Sequence, residues 1–341
     1  MADYYYNFPP ITVLTQAQQA ALNEPEQIAL SGGPGTGKSF VSMWRHISNH
    51  NAHRKSLLLT YATTLKRYIK ACCHSKNVEA SKYVGTSLRN KSITQNQVFD
   101  EVIIDEAQDL DPGYFTAICS PVSYGADDSQ ILYPQHSSSQ STLGSLFPNN
   151  VDYVLDKNFR CTKEIMLFVR QAFPAAAISL SMINNIDRHG EKPSLLVGNW
   201  GRYDDMPNAE ISAILRIISE LRNDTVNIGV LLPWKNSVKK YAAAIGNSVD
   251  DISYYYEDST EFPNGCPPLK NVHVTTFKSA KGLEFDIVII PDYNKMSSIV
   301  GNYNIEWQDF YVGCTRAKNF LFLISNTTHR LLNAVVDIES I

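Results

Sequence analysis

The 341-residue sequence lacks the long apolar runs and the leader segment of a membrane or exported protein. No window reaches the ~18 uninterrupted apolar residues that a membrane-spanning helix needs. The first ten residues, MADYYYNFPP, contain neither the basic region nor the apolar region of a secretory signal. We therefore expect no membrane association and a cytoplasmic location.

Excess positive charge is absent as well. The chain has 30 Lys and Arg residues against 34 Asp and Glu residues, which gives a formal net charge of −4. A protein that attracts nucleic acid through its overall field is usually strongly basic, so this composition argues against that mode of binding. Any contact with nucleic acid must come from a local cluster of basic side chains.

Paired cysteines are also missing. No two cysteines have the C-x-x-C spacing, and the six residues are Cys72, Cys73, Cys119, Cys161, Cys266 and Cys314. This distribution is typical of reduced thiols in a cytosolic protein. We expect neither a disulfide framework nor a zinc site.

The length and the hydrophobic pattern indicate a two-domain α/β protein. A chain of 341 residues with 44% apolar residues can form two full cores. Short apolar runs alternate with stretches of helical spacing, which predicts mostly parallel sheets. Because Pro148-Asn149-Asn150 interrupts the pattern, we predict one domain over residues 1–148 and a second over 149–341.

One stretch carries clear phosphate-binding chemistry. The apolar run Ile28–Leu30 leads into an octet that fits G-x-x-x-x-G-K-[ST] at every fixed position. In such a loop, backbone N–H groups converge on a polyphosphate, the lysine neutralises the outer phosphates, and the final hydroxyl binds Mg²⁺. The predicted binding residues are Gly32, Gly33, Pro34, Gly35, Thr36, Gly37, Lys38 and Ser39.

A second motif places two acids at the end of a strand. Val102–Ile104 predicts a buried strand, and Asp105 and Glu106 follow it directly. Ligands bind at the carboxyl ends of strands in α/β sheets, so we expect Asp105 to hold Mg²⁺ and Glu106 to take a proton from the attacking water. The alternative, two acids present only for solubility, is disfavoured by the phosphate loop nearby.

Two predicted helices have alternative interpretations. The helix over Leu14–Leu22 begins at the N-cap Thr15 and places Gln18 just before the phosphate loop. The amide of Gln18 is either an ordinary surface group or a reader of adenine. The helix over Thr63–Cys73 has basic side chains that either face solvent or contact phosphates. Residues 1–13, rich in aromatic residues and proline, are expected to form a packed arm.

Other segments give weaker expectations. Residues 74–97 are polar, and we predict a loop there with one short strand near Tyr83–Thr86. The tyrosine-rich segment around Tyr254–Tyr256 is also predicted as a loop. A helix is predicted over Glu306–Ala317.

Further motifs occur in order along the chain, and they are VIIDEAQD, LDKNFRCTKEI, TTFKSAKGLEFDIVII and FYVGCTRAKNFLFL. Together with the phosphate loop, they resemble the UvrD/Rep/PcrA class of superfamily 1 helicases from Leu14 to about Ile324. The resemblance implies two tandem RecA-like P-loop NTPase domains with mostly parallel sheets. It also implies ATP and Mg²⁺ as ligands and single-stranded DNA as a partner.

The resemblance implies roles for three residues of the first predicted domain. Gln18 matches the glutamine that hydrogen-bonds adenine in the family. The resemblance therefore favours adenine binding by Gln18 over an ordinary surface position. Gln130 matches the glutamine that links the γ-phosphate to the nucleic-acid path. Tyr61 matches an aromatic residue that contacts bases, although an ordinary buried strand residue is an equal alternative.

Four residues of the second predicted domain also match. Phe159 corresponds to an aromatic residue that stacks on the nucleotide base, and Glu284 to the residue that contacts the ribose. Arg160 and Arg316 resemble the two arginine fingers of the family.

The resemblance has gaps. Tyr61–Val102 and Arg160–Thr275 are too short to hold the two large inserted subdomains of family helicases. Ala126 replaces a glycine of the third motif, Lys278 stands where the fifth motif has histidine, and no tryptophan-containing segment follows Tyr133. These departures concern strand separation and DNA binding more than ATP hydrolysis.

Two functions from different classes are therefore considered. The first is an ATP-dependent 3′ to 5′ DNA translocase or helicase, which is a DNA-dependent ATP hydrolase. The second is a regulatory ATPase subunit whose closure is read by a protein partner, such as a nuclease in a DNA-repair or antiphage complex. A P-loop kinase acting on a small molecule would leave Gln130 and Arg160 unexplained.

Overall fold

The chain divides into two compact units. The computed structural model describes residues 3–6, 8–199, 208–258, 260–302, 305–328 and 330–340. One unit is Tyr6–Phe159, and the other is Arg160–Ile341 together with Met1–Tyr5. The chain therefore divides after Phe159 and not at the predicted position, residues 148 and 149. The physical reason is that the strand after Pro148 pairs with the first sheet.

The first unit alternates strands with helices. Its elements in chain order are α1 (Gln16–Asn23), β1 (Ile28–Ser31), α2 (Lys38–Asn51), β2 (Ser56–Thr60), α3 (Thr63–His74), α4 (Val78–Lys82), β3 (Val84–Thr86), α5 (Lys91–Asn96), β4 (Glu101–Asp105), α6 (Pro112–Phe115), β5 (Val122–Ala126), α7 (Gln140–Leu146) and β6 (Val151–Val154). The six strands form one sheet in the order β3-β2-β4-β5-β1-β6, and their pairings are parallel.

The strand order of the first sheet positions its functional loops. Strands β2 and β4 are buried at every residue, as expected for parallel strands covered on both faces. Strand β5 lies between β1 and β4. The carboxyl ends of β1, β5 and β4 therefore lie side by side, which brings the phosphate loop close to Asp105.

The second unit is also α/β. Its elements in chain order are α8 (Lys163–Ala172), α9 (Leu180–Asn184), β7 (Ser194–Val197), α10 (Asn208–Leu221), β8 (Ile228–Leu232), α11 (Lys235–Gly246), β9 (Ser253–Tyr255), β10 (Val272–Thr276), α12 (Phe277–Ala280), β11 (Phe285–Ile290), α13 (Met296–Ile299), α14 (Trp307–Cys314), β12 (Ala317–Ser325) and β13 (Asp337–Ser340). The seven strands pair in parallel in the order β13-β7-β12-β11-β8-β10-β9.

These two sheets confirm the predicted fold class, an α/β protein of two domains with mostly parallel sheets. The core of the second unit packs α10 and α11 against β8, β10 and β11. Within the described residues, no helix has both the length and the apolar composition needed to cross a membrane.

Three local predictions were wrong. Residues 74–97 contain α4 and α5 in addition to β3, and Asn77 begins α4 by accepting a hydrogen bond from the Ala80 N–H at 2.9 Å. The segment around Tyr254–Tyr256 contains β9, which pairs with β10. The helix predicted over Glu306–Ala317 ends at Cys314, because Ala317 already begins β12.

One buried acid makes the stability of the second unit depend on pH. Glu210 lies in α10, and its Oε2 accepts a hydrogen bond from the Tyr241 hydroxyl at 2.6 Å. Burial raises the pKa of Glu210 to about 7, and the hydrogen bond from Tyr241 opposes this effect in part. A carboxyl group with a raised pKa in the folded state stabilises the fold at low pH, and this stabilisation is lost as the pH rises through about 7.

We therefore expect Glu210→Gln to raise the melting temperature more at pH 8 than at pH 5. At pH 8 the gain in unfolding free energy is up to about 3 kcal/mol, because the charged form is no longer buried. Thermal unfolding at both pH values checks this, with Glu220→Gln on the exposed face of α10 as a control. An equal change in melting temperature at both pH values would contradict a raised pKa of Glu210 in the folded state.

Candidate functional site

The phosphate loop of the first unit needs glycine at two positions. Gly37 has a φ of +90° and precedes α2, and a Cβ placed on it would lie 2.3 Å from Nε2 of Gln18. Gly32 has a φ of +139°, and its Cβ would lie 2.1 Å from the carbonyl oxygen of Leu155. L-residues with side chains would be strained at both positions. The loop therefore presents bare backbone at the start of α2, as a phosphate-binding loop requires.

Gln18 supports this loop from α1. Its side chain is 4% exposed, so it is not a surface residue. Its Oε1 accepts from the Thr15 N–H at 2.9 Å, and its Nε2 donates to the Thr36 carbonyl oxygen at 2.8 Å. An amide group has two donor and two acceptor positions, and these bonds use one of each. The adenine-reading role of Gln18 stays a prediction.

Lys38 is buried at the centre of the site. Its Nζ donates to the carbonyl oxygens of Gly32 at 2.6 Å and Gly33 at 3.1 Å. It also lies 3.8 Å from Oδ2 of Asp127. The side chain is 7% exposed, so its positive charge is held in a largely desolvated position where an anion is strongly favoured.

Asp127 and Gln108 connect the remaining polar side chains. Gln130 Nε2 donates to Asp127 Oδ2 at 2.5 Å, and the Asp127 N–H donates to Gln108 Oε1 at 3.2 Å. Gln108 Nε2 in turn donates to Glu106 Oε2 at 2.5 Å. A continuous set of contacts thus joins Lys38 to both Glu106 and Gln130.

The two acids of the second motif lie where β4 ends. Asp105 is paired in register with Gly125 of β5. A Cβ on Gly125 would lie 3.4 Å from Asp105 Oδ1 and 3.6 Å from Lys38 Cβ, so the acid and the lysine flank the same glycine. Glu106 has a φ of +60°, a left-handed conformation that few non-glycine residues adopt.

The donor set fits a magnesium ion. The carboxylate of Asp105 and the hydroxyl of Ser39, in the first turn of α2, are the hard oxygen ligands that Mg²⁺ prefers. The glycine at position 125 keeps the space beside Asp105 clear of a side chain. Ser39 and Asp105 are therefore the residues that would hold Mg²⁺.

The last residues of the first unit also contact the phosphate loop. Asn158 Nδ2 donates to the Pro34 carbonyl oxygen at 2.7 Å, and the Phe159 N–H donates to the Gly35 carbonyl oxygen at 2.8 Å. The Phe159 side chain is 38% exposed, which leaves its ring accessible to a flat ligand. Its base-stacking role is consistent with this exposure and stays a prediction.

The second unit contains both predicted arginine fingers. Arg160 Nε donates to Glu284 Oε2 at 3.3 Å. Arg316 is 1% exposed, and its guanidinium donates to the carbonyl oxygens of Val312 at 3.0 Å and Leu283 at 3.4 Å. Glu284 thus carries an ion pair with Arg160, which the sequence analysis does not foresee. The finger and ribose roles remain predictions.

A buried cysteine lies beside these arginines. Cys161 Sγ donates to the Thr315 carbonyl oxygen at 3.6 Å. Burial raises the pKa of the Cys161 thiol, and the charges of Arg160, Arg316 and Arg188 oppose this effect in part. The thiol therefore stays protonated at neutral pH, as expected for a packing residue.

The position of Tyr61 is compatible with both of its predicted roles, a contact with nucleic-acid bases and an ordinary packing residue. Its ring is half-buried, lies 4.9 Å from the ring of Tyr133, and packs against the core of the first unit. It follows β2 at the carboxyl edge of the sheet. Its contact with nucleic acid stays a prediction.

The structure therefore gathers most of the predicted residues in the first unit and three of them in the second. The residues that the sequence analysis missed are Gln108, Asp127 and Asn158. A signal was present for each, because Gln108 and Asn158 lie within two positions of a residue with an assigned role and Asp127 lies three positions before Gln130. Only the fold shows that their side chains turn toward Glu106, Lys38 and the phosphate loop.

Comparison with known proteins agrees with the motifs. The family model for the UvrD-like helicase C-terminal domain matches residues 235–328. A protein of Acanthamoeba polyphaga mimivirus, provisionally named an ATP-dependent DNA helicase, is 27% identical over 258 residues, which cover 68% of this chain and 35% of that protein. The RecBCD enzyme subunit RecB of Chlamydia muridarum is 30% identical over 79 residues, which cover 23% of this chain and 8% of RecB.

These matches confirm the resemblance to UvrD-like superfamily 1 helicases. The chain spans 35% of the mimivirus relative and 8% of RecB, so it corresponds to a part of each. Among solved structures, the arterivirus nonstructural protein 10 helicase aligns with a TM-score of 0.45 at 13% identity, over 93% of this chain and 63% of that one. That likeness is too distant to carry an argument.

Asp127 provides a test of the contact network. We expect Asp127→Asn to lower nucleotide turnover on the order of 10- to 100-fold, because a charge-assisted contact to Lys38 is removed and Gln130 loses its ionic acceptor. Steady-state hydrolysis and a binding titration with a fluorescent ATP analogue measure the effect. Asp128→Asn, the same charge change at an exposed neighbour, is the matched control and should stay close to wild type. Equal losses in both variants would show that the network is not involved.

Proposed function

We propose that this chain, which resembles UvrD-like superfamily 1 helicases, hydrolyses ATP and couples the reaction to 3′ to 5′ movement on single-stranded DNA. The observation that carries the proposed hydrolysis is the convergence of Lys38, from the loop after β1, with Asp105 and Glu106, at the end of β4, on either side of β5. A phosphate loop that lay far from such acids would support binding but not hydrolysis.

The first unit supplies the groups that bind the nucleotide. The phosphates would lie on the N–H groups of the loop at the start of α2, with Lys38 neutralising their charge. Gln18 would recognise adenine from α1, and Phe159 would stack on the base. Mg²⁺ would be held by Ser39 and Asp105 and would neutralise charge on the phosphates.

Glu106 is the proposed general base. Its carboxylate would accept a proton from the water that attacks the γ-phosphate. The Gln108 amide donates to Glu106 Oε2 and so orients this carboxylate. Gln130 reaches the same network through Asp127, so it would report the presence of the γ-phosphate to neighbouring loops.

The second unit contributes Arg160 and Arg316 as proposed arginine fingers. A guanidinium beside the transferred phosphoryl group stabilises charge in the transition state more than in the ground state. Arg160 pairs with Glu284, at a side-chain exposure of 15%. This partial exposure supports a role in which Arg160 exchanges the carboxylate for a phosphate.

A cluster of basic side chains supports contact with nucleic acid. Lys66, Arg67 and Lys70 lie on α3, and Arg89 follows β3. Burial lowers the pKa of Lys66, and the charges of Arg89, Lys70 and Arg67 lower it further. Like charges held this close favour a polyanion, and the DNA backbone is one. Tyr61 lies at the same end of the sheet and would stack on a base.

The names of the relatives are consistent with this function. The mimivirus protein is named as a DNA helicase and RecB as a subunit of the RecBCD enzyme. For this chain, duplex unwinding and a nuclease partner are proposals, because the chain matches only part of each relative. The alternative is a regulatory ATPase subunit controlled by such a partner. The following experiment distinguishes it from a DNA translocase.

ATP turnover should depend strongly on single-stranded DNA. We expect an increase of at least about 10-fold on adding oligonucleotide at low salt, with the stimulation weakening as salt rises, because phosphate contacts release counterions. Phosphate release is measured with and without DNA, and Lys38→Ala serves as the inactive control. A substantial rate that is indifferent to DNA would reject the translocase and favour the regulatory subunit.

Two variants separate binding from chemistry. Arg160→Ala should bind ATP with near-wild-type affinity and lower kcat on the order of 10³-fold, which is the scale of an arginine finger. Glu106→Gln should also bind ATP yet hardly hydrolyse it. Binding titrations and single-turnover hydrolysis measure the two steps. Normal hydrolysis by Arg160→Ala would show that the finger is misassigned.

A further inference from the structure

An N-terminal arm packs into the second unit next to Glu284. We define the arm as residues 3–10, of which residue 7 lies outside the described part of the chain. The Tyr4 side chain is 2% exposed and lies edge-on to the ring of Phe285, with 5.9 Å between centroids. The Tyr4 N–H donates to the Leu269 carbonyl oxygen at 3.1 Å. Tyr4 is therefore part of the buried core of this unit.

The hydroxyl of Tyr4 makes hydrogen bonds with both the carbonyl oxygen and the N–H group of Glu284. It donates to the carbonyl oxygen of Glu284. It also accepts from the Glu284 N–H at 3.3 Å. A single side chain thus satisfies the donor and the acceptor of one residue, which restrains its backbone on both sides.

The restrained segment also contacts both proposed arginine fingers. The Glu284 carboxylate accepts from Arg160 Nε at 3.3 Å. On one side of Glu284, the Leu283 carbonyl oxygen accepts from Arg316 Nη1 at 3.4 Å. On the other side, the Phe285 N–H donates to the Arg316 carbonyl oxygen at 2.9 Å. Displacement of Glu284 would therefore displace the partners of both arginines.

The next residue of the arm is anchored independently. The Tyr5 N–H donates to Asn227 Oδ1 at 2.8 Å, and Asn227 Nδ2 donates to the Tyr5 carbonyl oxygen at 2.9 Å. Asn227 is 3% exposed, and its own N–H donates to Asp286 Oδ2 at 2.9 Å. The amide of Asn227 therefore pairs with the main chain of Tyr5 as a strand would.

Further along, the arm packs within the first unit on the helix that follows the phosphate loop. The ring of Phe8 stacks on Trp44 of α2 at 4.7 Å, and Trp44 Nε1 donates to the Pro9 carbonyl oxygen at 3.1 Å.

We propose that Tyr4 is a positioning residue for Arg160 and Arg316, acting through the backbone of Glu284. The proposal rests on the proposed ATPase function, since it concerns the groups that stabilise phosphoryl transfer. Tyr4 does not touch the nucleotide in this account. Its hydroxyl restrains the segment Leu283–Phe285, and this segment supplies a hydrogen-bond acceptor to each of the two guanidinium groups.

The decisive variant is Tyr4→Phe in the full chain, because it removes only the hydroxyl and keeps the ring on Phe285. We expect amide hydrogen exchange in a peptide that contains Leu283–Phe285 to accelerate on the order of 5-fold, as one hydrogen bond to the Glu284 N–H is lost. We expect kcat/KM for ATP to fall on the order of 10-fold. Tyr5→Phe is the matched control, because Tyr5 is 51% exposed and is bound through its main chain.

A double-mutant cycle separates positioning from general destabilisation. If Tyr4 acts through Arg160, the loss of kcat caused by Tyr4→Phe should be smaller in the Arg160→Ala background than in the wild type, and any remainder would act through Arg316. A structural role alone would lower the melting temperature and leave kcat/KM unchanged well below it. Additive losses of kcat in the cycle would overturn the link to Arg160.

Hydrogen exchange tests the positioning role of Tyr4 separately from the proposed ATPase function. Unchanged exchange at Leu283–Phe285 in Tyr4→Phe overturns the positioning role, whatever the ATPase rate. Faster exchange with unchanged kcat/KM in an active wild type also overturns it. A wild type without ATP turnover would reject the proposed function, while the exchange rates would still decide whether Tyr4 restrains Glu284.

Discussion

The position of Lys38 is the constraint on which the first unit depends. Its ammonium group is almost fully buried, bound by two carbonyl oxygens of its own loop and close to Asp127. A buried charge needs partners, and a polyphosphate supplies more negative charge than these groups do. The glycines at 32 and 37 let the loop wrap around this lysine, and the order of the strands brings Asp105 beside it.

The same lysine belongs to a set of contacts that reaches the chemical groups of the site. Asp127 links it to Gln130, and Gln108 links Asp127 to Glu106. A change in the partners of Lys38 would therefore alter the hydrogen bonds of the proposed base, Glu106, and of Gln130, the residue proposed to detect the γ-phosphate. In the second unit, Glu284 has a comparable position, because its side chain and its flanking peptide groups contact Arg160 and Arg316.

Much of this could be predicted from the sequence where chemistry demands particular residues. Few sequences can form a phosphate-binding loop, so the motif predicted the loop residues together with the strand before them and the helix after them. Asp127 and Gln108 were not, because acids and amides beside a motif are common and only the fold shows where they point. Tyr4 was foreseen as part of a packed arm, but its contact with Glu284 joins residues 280 positions apart. The domain boundary was misplaced because β6 follows a proline break yet pairs with β1.

The most direct test of the central claim is a crystal structure of the protein with Mg²⁺ and a non-hydrolysable ATP analogue. We expect the terminal phosphates to bind the loop N–H groups, and we expect Lys38 Nζ to leave the carbonyl oxygens of Gly32 and Gly33 and contact the phosphates. Mg²⁺ should lie beside Ser39 and Asp105. A nucleotide bound elsewhere, or a Lys38 that stays on those carbonyl oxygens with the phosphates present, would show that Lys38 does not bind the phosphates.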